Sequence, residues 1–204
     1  MFIIGCVRGY EFDVFISYSH IGSASKWLVN NFYPKFQDCL ADQIAPAPKV
    51  FVDRTMHRGV AWPEKLATVL LRSKILIPVL TPPYFESAWC MAEWRSMCER
   101  EKVLGIADSG RPQGLIYPIL YSDSDNFPEE GKMRSWWDFK DVATPEPVFQ
   151  ESPDWLNFHR KVTEFARDLV ELLQQVPEWR SDWPVIRRPE PVLMPPPPMP
   201  RFEL

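Results

Sequence analysis

Short apolar runs alternate along this chain with stretches in which apolar residues return every three or four positions. The run Tyr10-Glu11-Phe12-Asp13-Val14-Phe15-Ile16-Ser17-Tyr18-Ser19 is a handful of β-formers ending in small polar residues. That is the pattern of a buried strand that delivers polar groups at its C-terminal end. From Ser25 to Leu40, the residues Trp27, Leu28, Asn31, Phe32, Phe36 and Leu40 fall near helical spacing, and Pro34 predicts a kink or interruption. Pro46-Ala47-Pro48 is a breaker, and Lys49-Val50-Phe51-Val52-Asp53 predicts a second strand ending on an acid. A loop from Arg54 to Ala61, containing Gly59, leads to Trp62-Pro63-Glu64, which has the proline and acid of a helix start. Leu66, Val69, Leu70 and Ser73 then predict one helical face turned to a core.

Lys74-Ile75-Leu76-Ile77-Pro78-Val79-Leu80-Thr81 reads as a central parallel strand, with Pro78 removing one ladder donor and pointing to a bulge or edge geometry. After the turn Pro82–Ser87, Ser87 is the expected N-cap of a helix from Ala88 to about Val103. Gly114–Tyr121 predicts a fourth strand, and Ser122–Gln150 a long polar connection in which Trp136-Trp137-Asp138-Phe139 forms a short edge strand. Ser152-Pro153-Asp154, read as cap, proline and acid, opens a last helix, with Trp155, Phe158, Val162, Phe165, Leu169, Leu172 and Val176 as its core stripe. Residues 1–176 form the domain and 177–204 a tail rich in tryptophan and proline. The plain reading of the tail is a polyproline II extension; Trp179 and Trp183 leave a packed or partner-docking arm as the alternative. Strand–helix alternation predicts an α/β fold with a parallel sheet, whose ligand crevice lies beyond the carboxyl ends of the strands. Those ends carry Ser17-Tyr18-Ser19-His20, Asp53-Arg54 and Thr81-Pro82.

Composition narrows the function classes. The 204 residues suit one domain, and a net charge of −4 with no long basic run gives no reason to expect nucleic acid or an anionic membrane as partner. Cys6, Cys39, Cys90 and Cys98 form no CxxC pair and have no histidine cluster beside them, so neither a metal site nor a disulfide framework is expected. The apolar start Met1–Arg8 has no basic region ahead of it and does not read as a signal peptide; the expected location is the cytoplasm.

Trp89-Cys90-Met91-Ala92-Glu93 is the sharpest local feature, because four residues on a helix bring an indole and a carboxylate to one face. An indole can stack on a flat ring, and a carboxylate can stabilise a cationic transition state or bond a sugar hydroxyl. By spacing alone, a core tryptophan beside a solvated or paired acid explains the pattern as well.

The order of "DVFISYS" at Asp13–Ser19, Val50–Asp53, Gly59 with Trp62-Pro63, Ile75–Thr81, and then Ser87-Ala88-Trp89-Cys90-Met91-Ala92-Glu93 resembles a TIR domain over roughly Tyr10 to Val176. The resemblance implies a flavodoxin-like three-layer sandwich around a five-stranded parallel sheet. It implies that Glu93 is catalytic in an NAD⁺ glycohydrolase or cyclase of the bacterial type, with NAD⁺ as substrate and no cofactor or metal. Tyr18, Ser19, His20, Arg54, Gly59, Trp62 and Trp89 are the implied substrate-binding residues, and Arg54–Ala61 the loop that governs assembly and access to the site. It further implies self-association, an activating partner and a role in anti-phage defence. The sequence departs from many bacterial relatives in having no acid in Ser19-His20-Ile21-Gly22-Ser23, where His20 could serve as a donor. A non-catalytic TIR scaffold is the competing reading. A nucleoside-transfer enzyme of similar topology would need other motifs.

Overall fold

The structure is a computed structural model and describes residues 9–52, 62–106, 114–122 and 125–186, without the side chains of residues 62–65. Five strands, β1 (Phe12–Tyr18), β2 (Val50–Val52), β3 (Ser73–Leu80), β4 (Ile119–Leu120) and β5 (Trp137–Asp138), form one sheet in the order 2-1-3-4-5. Every pairing is parallel. This is the flavodoxin-like order, and its switch point lies between β1 and β3.

Alternation along β1 sorts its side chains into two cores. Val14, Ile16 and Tyr18 pack on one face, and Phe15 packs on the other. The first core is closed by α1 (Ala24–Trp27), α2 (Tyr33–Gln43) and α7 (Asp154–Leu173), and the second by α3 (Trp62–Leu71), α4 (Pro82–Glu86) and α5 (Ala88–Leu104). A four-residue helix, α6 (Glu129–Lys132), lies in the connection to β5. Trp27 centres the first core: its ring stacks on Phe32 at 5.1 Å, and its indole donates to the Val142 carbonyl at 3.2 Å. Phe158, Val162, Phe165 and Leu169 of α7 are fully buried there, as their spacing predicts.

The expected helix over 25–40 forms with a defect rather than a break. A π-helical turn over Leu28–Phe32 separates α1 from α2, and Pro34 sits in the first turn of α2. A proline at 34 cannot donate to the carbonyl four residues back. That carbonyl, of Asn30, instead accepts from Gln150 Nε2 at 3.1 Å.

Pro78 does not mark an edge. It lies inside β3, between β1 and β4, and the register with β1 runs unbroken through Ser17↔Pro78 and Tyr18↔Val79. On the other side, Leu76 donates to Leu115 and Tyr117 donates back to Leu76, both at 2.8 Å. Alternation makes position 78 the next donor toward β4, and proline has none, so the ladder resumes only at Val79↔Ile119. Ser73, expected on the face of α3, opens β3 instead, where its hydroxyl donates to the Val69 carbonyl at 2.7 Å. Ser152 does not cap α7 either; its hydroxyl donates to Phe149 O at 2.7 Å.

Over residues 177–186 the tail is anchored to the domain through its tryptophans, the packed arm rather than the free extension. Trp183 is 4% exposed, the Trp179 indole donates to Leu71 O at 3.1 Å, and Tyr10 donates to Pro177 O at 3.1 Å. Arg100 is fully buried beneath this arm, its guanidinium 5.4 Å from the Trp183 ring centre. It donates to the carbonyls of Ser73 and Leu70, which tie the end of α3 to α5. Burial lowers its pKa to about 10, against the opposing pull of Tyr10.

Candidate functional site

The site is built where β1 ends against the second turn of α5. Ser17 has the parity of Phe15 and so points toward the α3–α5 layer. Its hydroxyl donates to Glu93 Oε2 at 2.5 Å and lies 3.1 Å from the Tyr84 hydroxyl. Tyr84 is fully buried, and its phenol pKa stands well above the ordinary value because of burial, then the neighbouring Cys90 and Glu93. It keeps its proton, and its hydroxyl also reaches Cys90 O at 3.4 Å.

Local sequence sets these positions. Thr81 accepts from Tyr84 N at 3.2 Å, which starts α4 and turns Tyr84 inward. Ser87 caps α5 by accepting from Cys90 N at 3.3 Å, as expected. From that cap the helix places Trp89 and Glu93 one turn apart, Trp89 half-buried and Glu93 8% exposed. Cys90 is not a nucleophile: burial first, and the Glu93 carboxylate second, push its thiol up to about 12.

The residues expected to line the cleft separate. Tyr18 faces the opposite core, with the sheet between its side chain and the face that carries Ser17. Ser19 is buried and accepts from Ile21 N at 3.2 Å, so its hydroxyl closes the turn after β1. His20 is exposed, with its ring 4.8 Å from that of Tyr18. Arg54 and Gly59 lie outside the described residues; Trp62 opens α3, but its side chain is not described. Ser17, which bonds Glu93, and Tyr84, which bonds Ser17, are the residues of this cluster that sequence reasoning missed. Strand parity groups Ser17 with Phe15, but both faces of β1 are buried, so the sequence alone does not place that pair on the side of Glu93. Among the described residues no group of His, Cys, Asp or Glu could hold a metal ion, and no helix is long and apolar enough to cross a membrane.

A 2-1-3-4-5 parallel sheet defines a flavodoxin-like α/β protein, with the buried acid of the candidate site on the helix beside its switch point. Within that class the chain belongs to the TIR-domain family, whose model matches residues 14–151. It is similar to the TIR domain of the Toll-related receptor TRR-2 from Hydra magnipapillata. The identity is 23% and the TM-score 0.45, over 74% of this chain and 98% of that one. It is also similar to the TIR domains of the activated Roq1 resistosome, which directly recognises the pathogen effector XopQ. Here the identity is 17% and the TM-score 0.35, over 80% and 96% of the two chains. No curated protein matches the chain.

Proposed function

We propose that this TIR domain cleaves the nicotinamide–ribose bond of NAD⁺, with Glu93 as the catalytic carboxylate. The observation that carries the reading is the placement of Glu93, one turn after Trp89 and bonded to Ser17 at the carboxyl end of β1. Nicotinamide leaves with the electron pair of the glycosidic bond, and positive charge develops on the ribose. A carboxylate held by Ser17 is already oriented and stabilises that charge without reorganising. Water then adds to the ribose carbon and loses a proton, giving ADP-ribose; capture by an adenine nitrogen would give a cyclic product. Trp89 supplies an aromatic surface for a flat ring. The reading extends to a cytoplasmic enzyme of anti-phage defence, activated by TIR–TIR assembly and a partner protein. The scheme needs no metal or cofactor and engages neither nucleic acid nor membrane.

One observation favours a scaffold instead. Glu93 is 8% exposed, and its bond to Ser17 would equally serve to tie α5 to β1. Nicotinamide release by the full chain, followed by chromatography at low and high protein concentration with a crowding agent, separates the two. Release that steepens with concentration and falls roughly 100-fold or more in Glu93→Ala supports catalysis. Release that survives in Glu93→Ala removes the catalytic role, and no release at any concentration leaves the scaffold.

A further inference from the structure

A groove of about 1170 Å³ runs between the outer face of α5, the edge strand β5 and the C-terminal half of α7, away from Glu93. Its floor is aromatic: Tyr117, Trp136 and Trp137 line it half-buried, and Met133, 84% exposed, stands on its rim. Its three bases are each paired within it, Arg95 with Glu130, Lys102 with Glu99 and Arg134 with Glu101. Asp138, Asp168 and Glu171 are the surplus, and they make the groove acidic. Lys140 and Arg167 approach the first two from outside, at 3.6 and 3.8 Å.

The packed arm leads into this groove. Ile186, its last described residue, lines the groove, and its backbone N–H is held by Ser96 Oγ at 2.8 Å. The chain continues for residues 187–204, with Arg187, Arg188 and Arg201 against Glu190 and Glu203, seven prolines and a scatter of apolar side chains. At about 3.1 Å per extended residue this segment reaches ~55 Å, roughly twice the length of a 17-residue helix such as α5. Proline-rich segments dock in aromatic grooves because their extended form is already set, and here Arg187 and Arg188 follow directly on Ile186, where the groove lining carries the surplus carboxylates. We propose that residues 187–204 occupy this groove in their own chain, so that the tail is an intramolecular ligand of the α5–β5–α7 face.

The test uses the full chain with the photo-crosslinking residue p-benzoylphenylalanine in place of Met133. Irradiation followed by peptide mapping should place the adduct within 187–204 of the same chain, at the mass of a single chain. The same residue at Leu156, at the other end of α7, should give no such adduct. Asp168→Lys with Glu171→Lys should lower the yield several-fold while circular dichroism stays unchanged; an unchanged yield would count against the proposal. Adducts only between two chains would overturn it in favour of a second copy. No adduct in 187–204 from a folded protein would overturn it outright.

Discussion

Ser17 Oγ stands 2.5 Å from Glu93 Oε2, so the last buried turn of β1 and the second turn of α5 share one proton donor. Removing that donor tests the pair. Ser17→Ala should cost about 1.5–3 kcal/mol in urea unfolding, the range for a hydrogen bond to a charged group. It should also lower the proposed NAD⁺ turnover by loosening Glu93. Glu93→Gln keeps an acceptor for Ser17, so it should unfold close to the parent while losing turnover. Equal stability of Ser17→Ala and the parent would show that the bond contributes nothing.

Cys90 makes stability sensitive to alkaline pH. Its thiol titrates at about 12 in the folded chain against a reference of 9.0, because it is buried and next to Glu93. Above pH 9 the unfolded thiol loses its proton while the folded one keeps it, so stability falls as pH rises from 9 to about 12. The buried Tyr84 phenol acts in the same direction. Cys90→Ala should flatten the slope by up to one proton, about 1.4 kcal/mol per pH unit. A series of urea melts from pH 8 to 11 measures it, and iodoacetamide at pH 8 should leave Cys90 unmodified.

Trp183 covers a buried cation. Trp183→Ala would open Arg100 to water and leave a cavity, with an expected loss of roughly 3 kcal/mol. Trypsin cleavage after the exposed Arg180 should then accelerate, since the arm loses its anchor. Unchanged cleavage would show that Trp179 and the bond from Tyr10 hold the arm by themselves.

Gly131 is required by close approach rather than by backbone conformation. A Cβ there would meet Phe85 Cζ at 2.5 Å, in a ring packed against Phe127 at 4.8 Å. Gly131→Ala should cost about 1–3 kcal/mol. Phe85→Leu should recover part of that loss in a double-mutant cycle. Simple additivity of the two changes would mean that the ring moves aside freely.

Local pattern determined much of this protein. The helical spacing of Trp27, Phe32, Phe36 and Leu40 and the stripe on α7 predict the buried faces, because one amphipathic face can only turn inward. Ser87 was legible as a cap because capping is a contact between neighbours in sequence. The TIR order of motifs carried the family and pointed to Glu93 and Trp89. What tertiary structure decided was parity and partnership. β1 is buried on both faces, so its apolar run gives no sign of which side Ser17 or Tyr18 takes; the sheet sends Ser17 to Glu93 and Tyr18 to the opposite core. The run around Pro78 reads as a central strand, as it is, but the missing donor pointed to a bulge or edge geometry because it is a local fact, whereas the place of β3 between β1 and β4 depends on strand order. The arm over Arg100 is the same kind of case. Prolines and tryptophans describe a segment that cannot be helical, but only the buried guanidinium 83 residues earlier in the chain explains where Trp183 goes.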